Sequence, residues 1–155
     1  MKKTVAILAV CGFTLAVTYA VAAQAKTASA GVYAEEQTPR GETVYKEQCA
    51  ACHGDNLEGS GPMPPLAGMD FLTNWQGKTL GDLYEKTQTT MPATAPGTLT
   101  PEQTADLLAY MLKASKYPAG ATPLVGKVEE LAPITIDAPK PDDPVNSQQP
   151  IPNCQ

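Results

Sequence analysis

The stretch Cys49-Ala50-Ala51-Cys52-His53 constrains this 155-residue chain more than any other. Two cysteines three apart, followed at once by a histidine, form the pattern by which a c-type haem is attached. The thiols can add across the two vinyl groups of one porphyrin, and the adjacent imidazole can ligate the iron from one face. Attachment and coordination therefore come from one short turn of chain. The competing readings are a redox CxxC pair, half of a zinc site and a chance match. A zinc site needs a second ligand pair at similar spacing, but His53 is the only histidine, and the other cysteines, Cys11 and Cys154, are isolated near the two ends. A thioredoxin-like pair needs a strand before it, and no apolar strand precedes Cys49. One covalent haem c is the expected cofactor.

The length allows one domain plus tails. Fifteen prolines, crowded into the last third, and twelve glycines make the packed part smaller than the residue count suggests. Two Phe, one Trp and six Tyr leave little material for a large core, so a bound cofactor would help to fill it. Met1-Lys2-Lys3, an apolar run from Thr4 to about Ala23, and Ala23-Gln24-Ala25 have the layout of a secretory signal, residues 1–25, with Ala28-Ser29-Ala30 as the alternative cut after residue 30. Cys11 then belongs to the removed segment. The run is also long enough for an uncleaved membrane anchor, and membrane contact is expected only in that case. Export to the periplasm agrees with the haem motif, because bacterial haem attachment to cysteine takes place outside the cytoplasmic membrane. A cut after Ala25 keeps nine of the eleven basic residues and all sixteen acidic ones, moving the formal charge from −5 to −7. That argues against nucleic acid and anionic lipid as partners and for a partner with a basic docking patch.

Residues 26–37 are small and polar without apolar periodicity, which predicts a flexible leader. A helix is predicted from about Pro39 to Ala51, capped by Thr38, with Gly41, Val44, Tyr45, Gln48 and Cys49 on one side. Gly41 either lets another helix come close or is a weak spot near a helix start. The loop after His53 leads into Pro64-Pro65-Leu66-Ala67-Gly68. A metal-bound histidine donates its other ring N–H to an acceptor, a part suited to the Pro64 carbonyl, with Leu66 pressing on the ring face. Trp75, the only tryptophan, has an indole N–H that would suit a haem propionate or, equally, a water partner in the core. A second helix starts at Thr79, with Asp82 completing a capping box and Leu80, Leu83, Tyr84 and Thr87 on one face, and runs out by Thr90. Met91 precedes Pro92, which restricts it to extended backbone. Its thioether is therefore the candidate sixth ligand, with Met63, also before a proline, as the leading rival. Met69 lies too close to His53 in sequence, and Met111 falls in a helical core pattern. Thr100-Pro101-Glu102-Gln103 starts a third helix. Residues 121–155 read as a proline-rich tail, extended or disordered, in which Ile134-Thr135-Ile136 could serve as an edge strand and Cys154 is an odd thiol.

Residues 38–120, with their leading helix, CxxCH motif, Pro64 to Gly68 stretch, Met91-Pro92 and closing helix carrying Tyr110, resemble a class I c-type cytochrome. The resemblance implies an all-α, cytochrome c-like fold of about three to four helices around one covalent haem. It also implies thioether links at Cys49 and Cys52, axial iron ligands His53 and Met91, first and last helices crossing with a glycine against an aromatic residue, and a partly exposed haem edge. No catalytic residue is expected. The run Phe71, Trp75, Leu83-Tyr84, Met91-Pro92, Pro96-Gly97, Leu99, Ala109-Tyr110 and Tyr117 to Gly120 is similar to small cytochromes associated with quinoprotein dehydrogenases. The implied function is single-electron carriage between periplasmic redox partners, from such a dehydrogenase as donor towards an oxidase or another cytochrome as acceptor. The alternatives are a cytochrome subunit anchored in a membrane electron-transfer complex, and a haem enzyme or gas sensor with an open sixth site.

Overall fold

The computed structural model describes residues 26–140. The signal segment, Cys11, Cys154 and the tail beyond residue 140 lie outside them. Among the described residues the fold is all-α apart from one pair of two-residue strands. The helices are α1 (Gln37–Gln48), α2 (Ala50–His53), α3 (Gly68–Trp75), α4 (Leu80–Thr90), α5 (Pro101–Ala114) and α6 (Val128–Leu131). Four of these are longer than one turn, which agrees with the expected helix number.

The main packing unit is α1 across α5, which bury Val44 and Tyr45 against Ala105, Leu108, Ala109 and Leu112. Gly41 sits where the two backbones meet. A Cβ there would lie 1.9 Å from the Asp106 carbonyl oxygen and 2.9 Å from the Tyr110 Cβ. The glycine is thus a requirement of the helix crossing, and the Tyr45 and Tyr110 rings close over it with centroids 5.6 Å apart. The predicted capping box at Thr79 forms, and Thr100 has one as well. Thr79 Oγ1 accepts from the Asp82 N–H and Thr100 Oγ1 from the Gln103 N–H, so α4 and α5 start where their sequences direct.

The first helix departs from expectation. It begins two residues earlier, at Gln37, and Thr38 is inside it, its hydroxyl donating to the Glu35 carbonyl at 2.9 Å. Proline in the first turn still costs no hydrogen bond, because the leading N–H groups have no partner within the helix. The helix also stops at Gln48: Cys49 leaves the helical conformation, at φ −126° and ψ −36°, and α2 restarts as a single turn. No helix was expected at α3. Its signal was the spacing of Phe71, Leu72 and Trp75, and the first two are buried.

The leader and tail also depart from expectation. Residues 26–36 are folded: β1 (Lys26–Thr27) pairs in parallel with β2 (Ile134–Thr135), and Ala28–Ala30 form a 3-10 turn. Tyr33 is buried and its hydroxyl donates to the Tyr117 carbonyl at 2.8 Å. Residues 121–137 are folded as well, burying Leu124, Leu131, Ile134 and Ile136. Gly120 lies so close to Gly31 that a Cβ would stand 2.0 Å from its carbonyl oxygen. The buried Gln37 side chain joins four segments. Its Oε1 accepts from the Ala34 N–H at 3.2 Å and the Leu124 N–H at 2.7 Å, and its Nε2 donates to Asp106 Oδ1 at 2.9 Å and the Leu124 carbonyl at 3.1 Å. Periodicity missed both segments because single anchors and backbone contacts hold them, with no repeating apolar stripe.

Candidate functional site

The break at Cys49 decides how the motif is presented. Tyr45 on α1 donates its hydroxyl hydrogen bond to the Gly54 carbonyl, and the Gly59 N–H donates to the His53 carbonyl at 2.8 Å, so the single turn α2 is held at its C-terminal end. Cys49 is buried and Cys52 exposed, and both are free thiols. Burial, with a smaller contribution from Cys52, pushes the Cys49 thiol up to about 11. It is a neutral group at physiological pH, as a thiol facing apolar surroundings should be.

His53 is buried, and its Nδ1 lies 2.8 Å from the Pro64 carbonyl oxygen. A carbonyl can only accept, so this contact puts the proton on Nδ1 and leaves the Nε2 lone pair free. Pro64 lacks an N–H and has a fixed φ, which makes its carbonyl a rigid acceptor. The contact is the one that the spacing of His53 and the proline pair suggested.

On α4, the Met91 N–H donates to the Thr87 carbonyl at 3.0 Å and ends the helix, and Met91 is extended at φ −122° and ψ 153°. The loop beyond it is tied down by Gln88. Its Nε2 donates to the Leu99 carbonyl at 2.6 Å, while its Oε1 accepts from Thr104 Oγ1 at 2.7 Å on α5.

These groups meet in one cavity of about 330 Å³, lined mostly by apolar atoms. Its walls include all seven site residues read from the sequence: Cys49, Cys52, His53, Pro64, Leu66, Trp75 and Met91. Leu107 and Met111 of α5 form its floor. Met63 reaches the wall as well, whereas Met69 does not and is 76% exposed. Trp75 stacks on Phe71 with ring centroids 6.3 Å apart and carries Lys78 Nζ 4.8 Å from its ring centroid on α3's flank. The sequence reading missed Gln48 and Asn74 as lining residues, and also Lys86 and Thr87. For Thr87 a signal existed, because it shares one face of α4 with Leu83 at i and i+4.

A planar cofactor fits this donor set. The cavity is within the size range of small-molecule sites, and two cysteines and an imidazole with a fixed tautomer are among its lining residues. An all-helical fold with these groups around one cavity defines the class of monohaem c-type proteins. Comparison with known proteins narrows the class. The family described as cytochrome C oxidase, cbb3-type, subunit III matches residues 36–111. Cytochrome c of Nigella damascena is 30% identical over 97 residues, covering 48% of this chain and 87% of that protein. Cytochrome c of Cannabis sativa is 29% identical over 97 residues, with the same coverage. The solved structure of the sulfane dehydrogenase SoxCD from Paracoccus pantotrophus is similar with a TM-score of 0.49 and 24% identity, over 76% of this chain and 66% of that chain. The chain belongs to the cytochrome c family and is an electron-transfer protein whose cofactor is one covalently bound haem c.

Proposed function

We propose that this protein is an exported carrier of single electrons in which Cys49 and Cys52 hold the haem by thioether links and His53 and Met91 are the axial iron ligands. The observation that carries this reading is the 2.8 Å contact of His53 Nδ1 with the Pro64 carbonyl inside a cavity that both thiols and Met91 also line. When bound, haem c supplies one-electron chemistry at its iron. The chain supplies the rest. Pro64 holds the imidazole in one tautomer and orientation. Gln88 fixes the loop that presents the Met91 thioether, a soft donor that favours reduced iron. Leu66, Leu107 and Met111 keep the pocket apolar and exclude water. Two strong protein ligands leave no position for a substrate, which favours transfer over catalysis.

The partners proposed are a quinoprotein dehydrogenase as donor and an oxidase or another cytochrome as acceptor, in the periplasm. The short motifs between Phe71 and Gly120 support the donor, and the acidic composition supports a partner with a basic patch. A second reading, as a subunit of a membrane electron-transfer complex, is favoured by the description of the family matching residues 36–111. No helix among the described residues is long and apolar enough to cross a membrane. Removal of the signal after Ala25 is supported by the folded state of residues 26–30. A cut after Ala30 would delete β1 and the hydrogen bonds of Ser29 to Asp137.

The mass of the exported protein tests the reading. The expected value is that of the chain from Lys26 plus one haem, with the haem lost from a Cys49→Ala, Cys52→Ala double variant. The purified protein should be reduced by a quinoprotein dehydrogenase. A mass without haem, or haem equally retained in the double variant, would overturn the site. A chain retaining residues 1–25 in the membrane fraction would favour the second reading.

A further inference from the structure

We propose that Lys86 is the counter-charge for the carboxylate edge of the haem and holds its reduction potential up, an inference that rests on the cavity being the haem site. Among the described residues Lys86 is the only Lys, Arg, Asp or Glu lining the cavity. Its isolation extends beyond the lining. Residues 59–69 and 87–101, which include the Met63 to Leu66 wall and the Met91 loop, contain no charged side chain in a chain that is 17% charged. Lys86 is both exposed and part of the cavity lining, and it takes part in no ion pair among the described residues.

Its position in the fold also suits that role. The thiols that bind the vinyl edge come from the end of α1 and from α2, whereas Lys86 comes from α4. These helices pack chiefly on other elements, α1 on α5 and α4 on α5 and α6, and the cavity lies between them. In a haem the two propionates lie on the edge remote from the vinyl groups, so fixing the vinyl edge at Cys49 and Cys52 directs the carboxylates away from α2. Among the described residues Lys86 is the one cation on the remaining walls. A fixed positive charge there offsets the carboxylates and disfavours the more positive ferric state relative to the ferrous. Lys78 provides an internal control. It is also a lysine near Trp75, but it sits over the indole ring and does not line the cavity.

The test is a spectroscopic redox titration of the haem-loaded protein and its Lys86→Gln, Lys86→Glu, Lys86→Arg and Lys78→Gln variants, all at one ionic strength. Lys86→Gln should lower the ferrous-to-ferric ratio at fixed poise by roughly threefold, the scale of a partly solvated ion pair. Lys86→Glu should lower it further, Lys86→Arg should stay near the parent, and Lys78→Gln should move it less than Lys86→Gln does. The visible spectrum and covalent haem content should be the same in all five proteins. Equal potentials for Lys86→Gln and the parent, or equal shifts for Lys86→Gln and Lys78→Gln, would overturn the assignment to Lys86 alone. A parent chain that retains no haem would overturn the site and this role together.

Discussion

At the scale of the single residue, two contacts decide most of the site. His53 is fixed by a carbonyl acceptor, which sets its tautomer, and Gly41 sets how closely α1 and α5 approach. Gly41→Ala places a methyl group 1.9 Å from the Asp106 carbonyl oxygen, and the neighbour is backbone, so the helices must move apart. The expected cost is about 1–3 kcal/mol, as for other overpacked sites, measured by urea unfolding of the haem-loaded protein. A change within about 0.5 kcal/mol would contradict the close crossing. The place of His53, Pro64 and Met91 on the cavity wall was readable in the sequence because each answers a local rule: a fixed motif, a rigid acceptor, an X-Pro restriction. Lys86 was not, since a lysine on a helix is ordinarily solvated and nothing local marks the wall it stands on. The Gln37 network was equally hidden, because its partners lie 69 and 87 residues away.

At the scale of the element, α4 and α5 followed their sequences, because a capping box and an apolar face of period 3.6 agree with each other. The first helix followed less well, because tertiary contacts at Ala34 to Gln37 moved its start and Cys49 ended it early. Residues 26–36 and 117–137 act as one clasp, whose hub is Asp137. Its carboxylate accepts from the Ser29 N–H at 2.9 Å and from the Ser29 hydroxyl, and its carbonyl accepts from the Tyr117 hydroxyl. Burial opposes ionisation of Asp137, but the hydrogen bonds from Ser29, with smaller contributions from Thr27 and the Asp137 N–H, together outweigh it and hold the carboxyl below its ordinary value. The folded pKa is thus lower than the unfolded one, near 3.9. The stabilisation is complete above that pH and is lost as pH falls through the folded value. Asp137→Asn should lower Tm by a few degrees at neutral pH, with the gap to the parent closing as pH drops below about 4. A gap that stays constant with pH would contradict the role of the charge.

At the scale of the whole molecule, the chain has few large aromatic residues and encloses an apolar cavity beside its main helix crossing. A covalently held haem completes that core, so cofactor and fold depend on one another. The clasp enlarges the folded unit beyond the expected residues 38–120 without contributing any residue to the cavity wall. Among the described residues that line the cavity only Lys86 is charged, while the chain as a whole is acidic, with a formal charge of −5. All of this serves electron transfer only if both axial positions are filled by the protein. The most direct measurement is a redox titration of the haem-loaded protein beside its Met91→Ala variant, with carbon monoxide added to each reduced form. A single reversible one-electron wave at positive potential, lowered in Met91→Ala, with carbon monoxide binding only to the variant, is the predicted result. A low potential indifferent to Met91, or ready carbon monoxide binding by the unchanged protein, would contradict it.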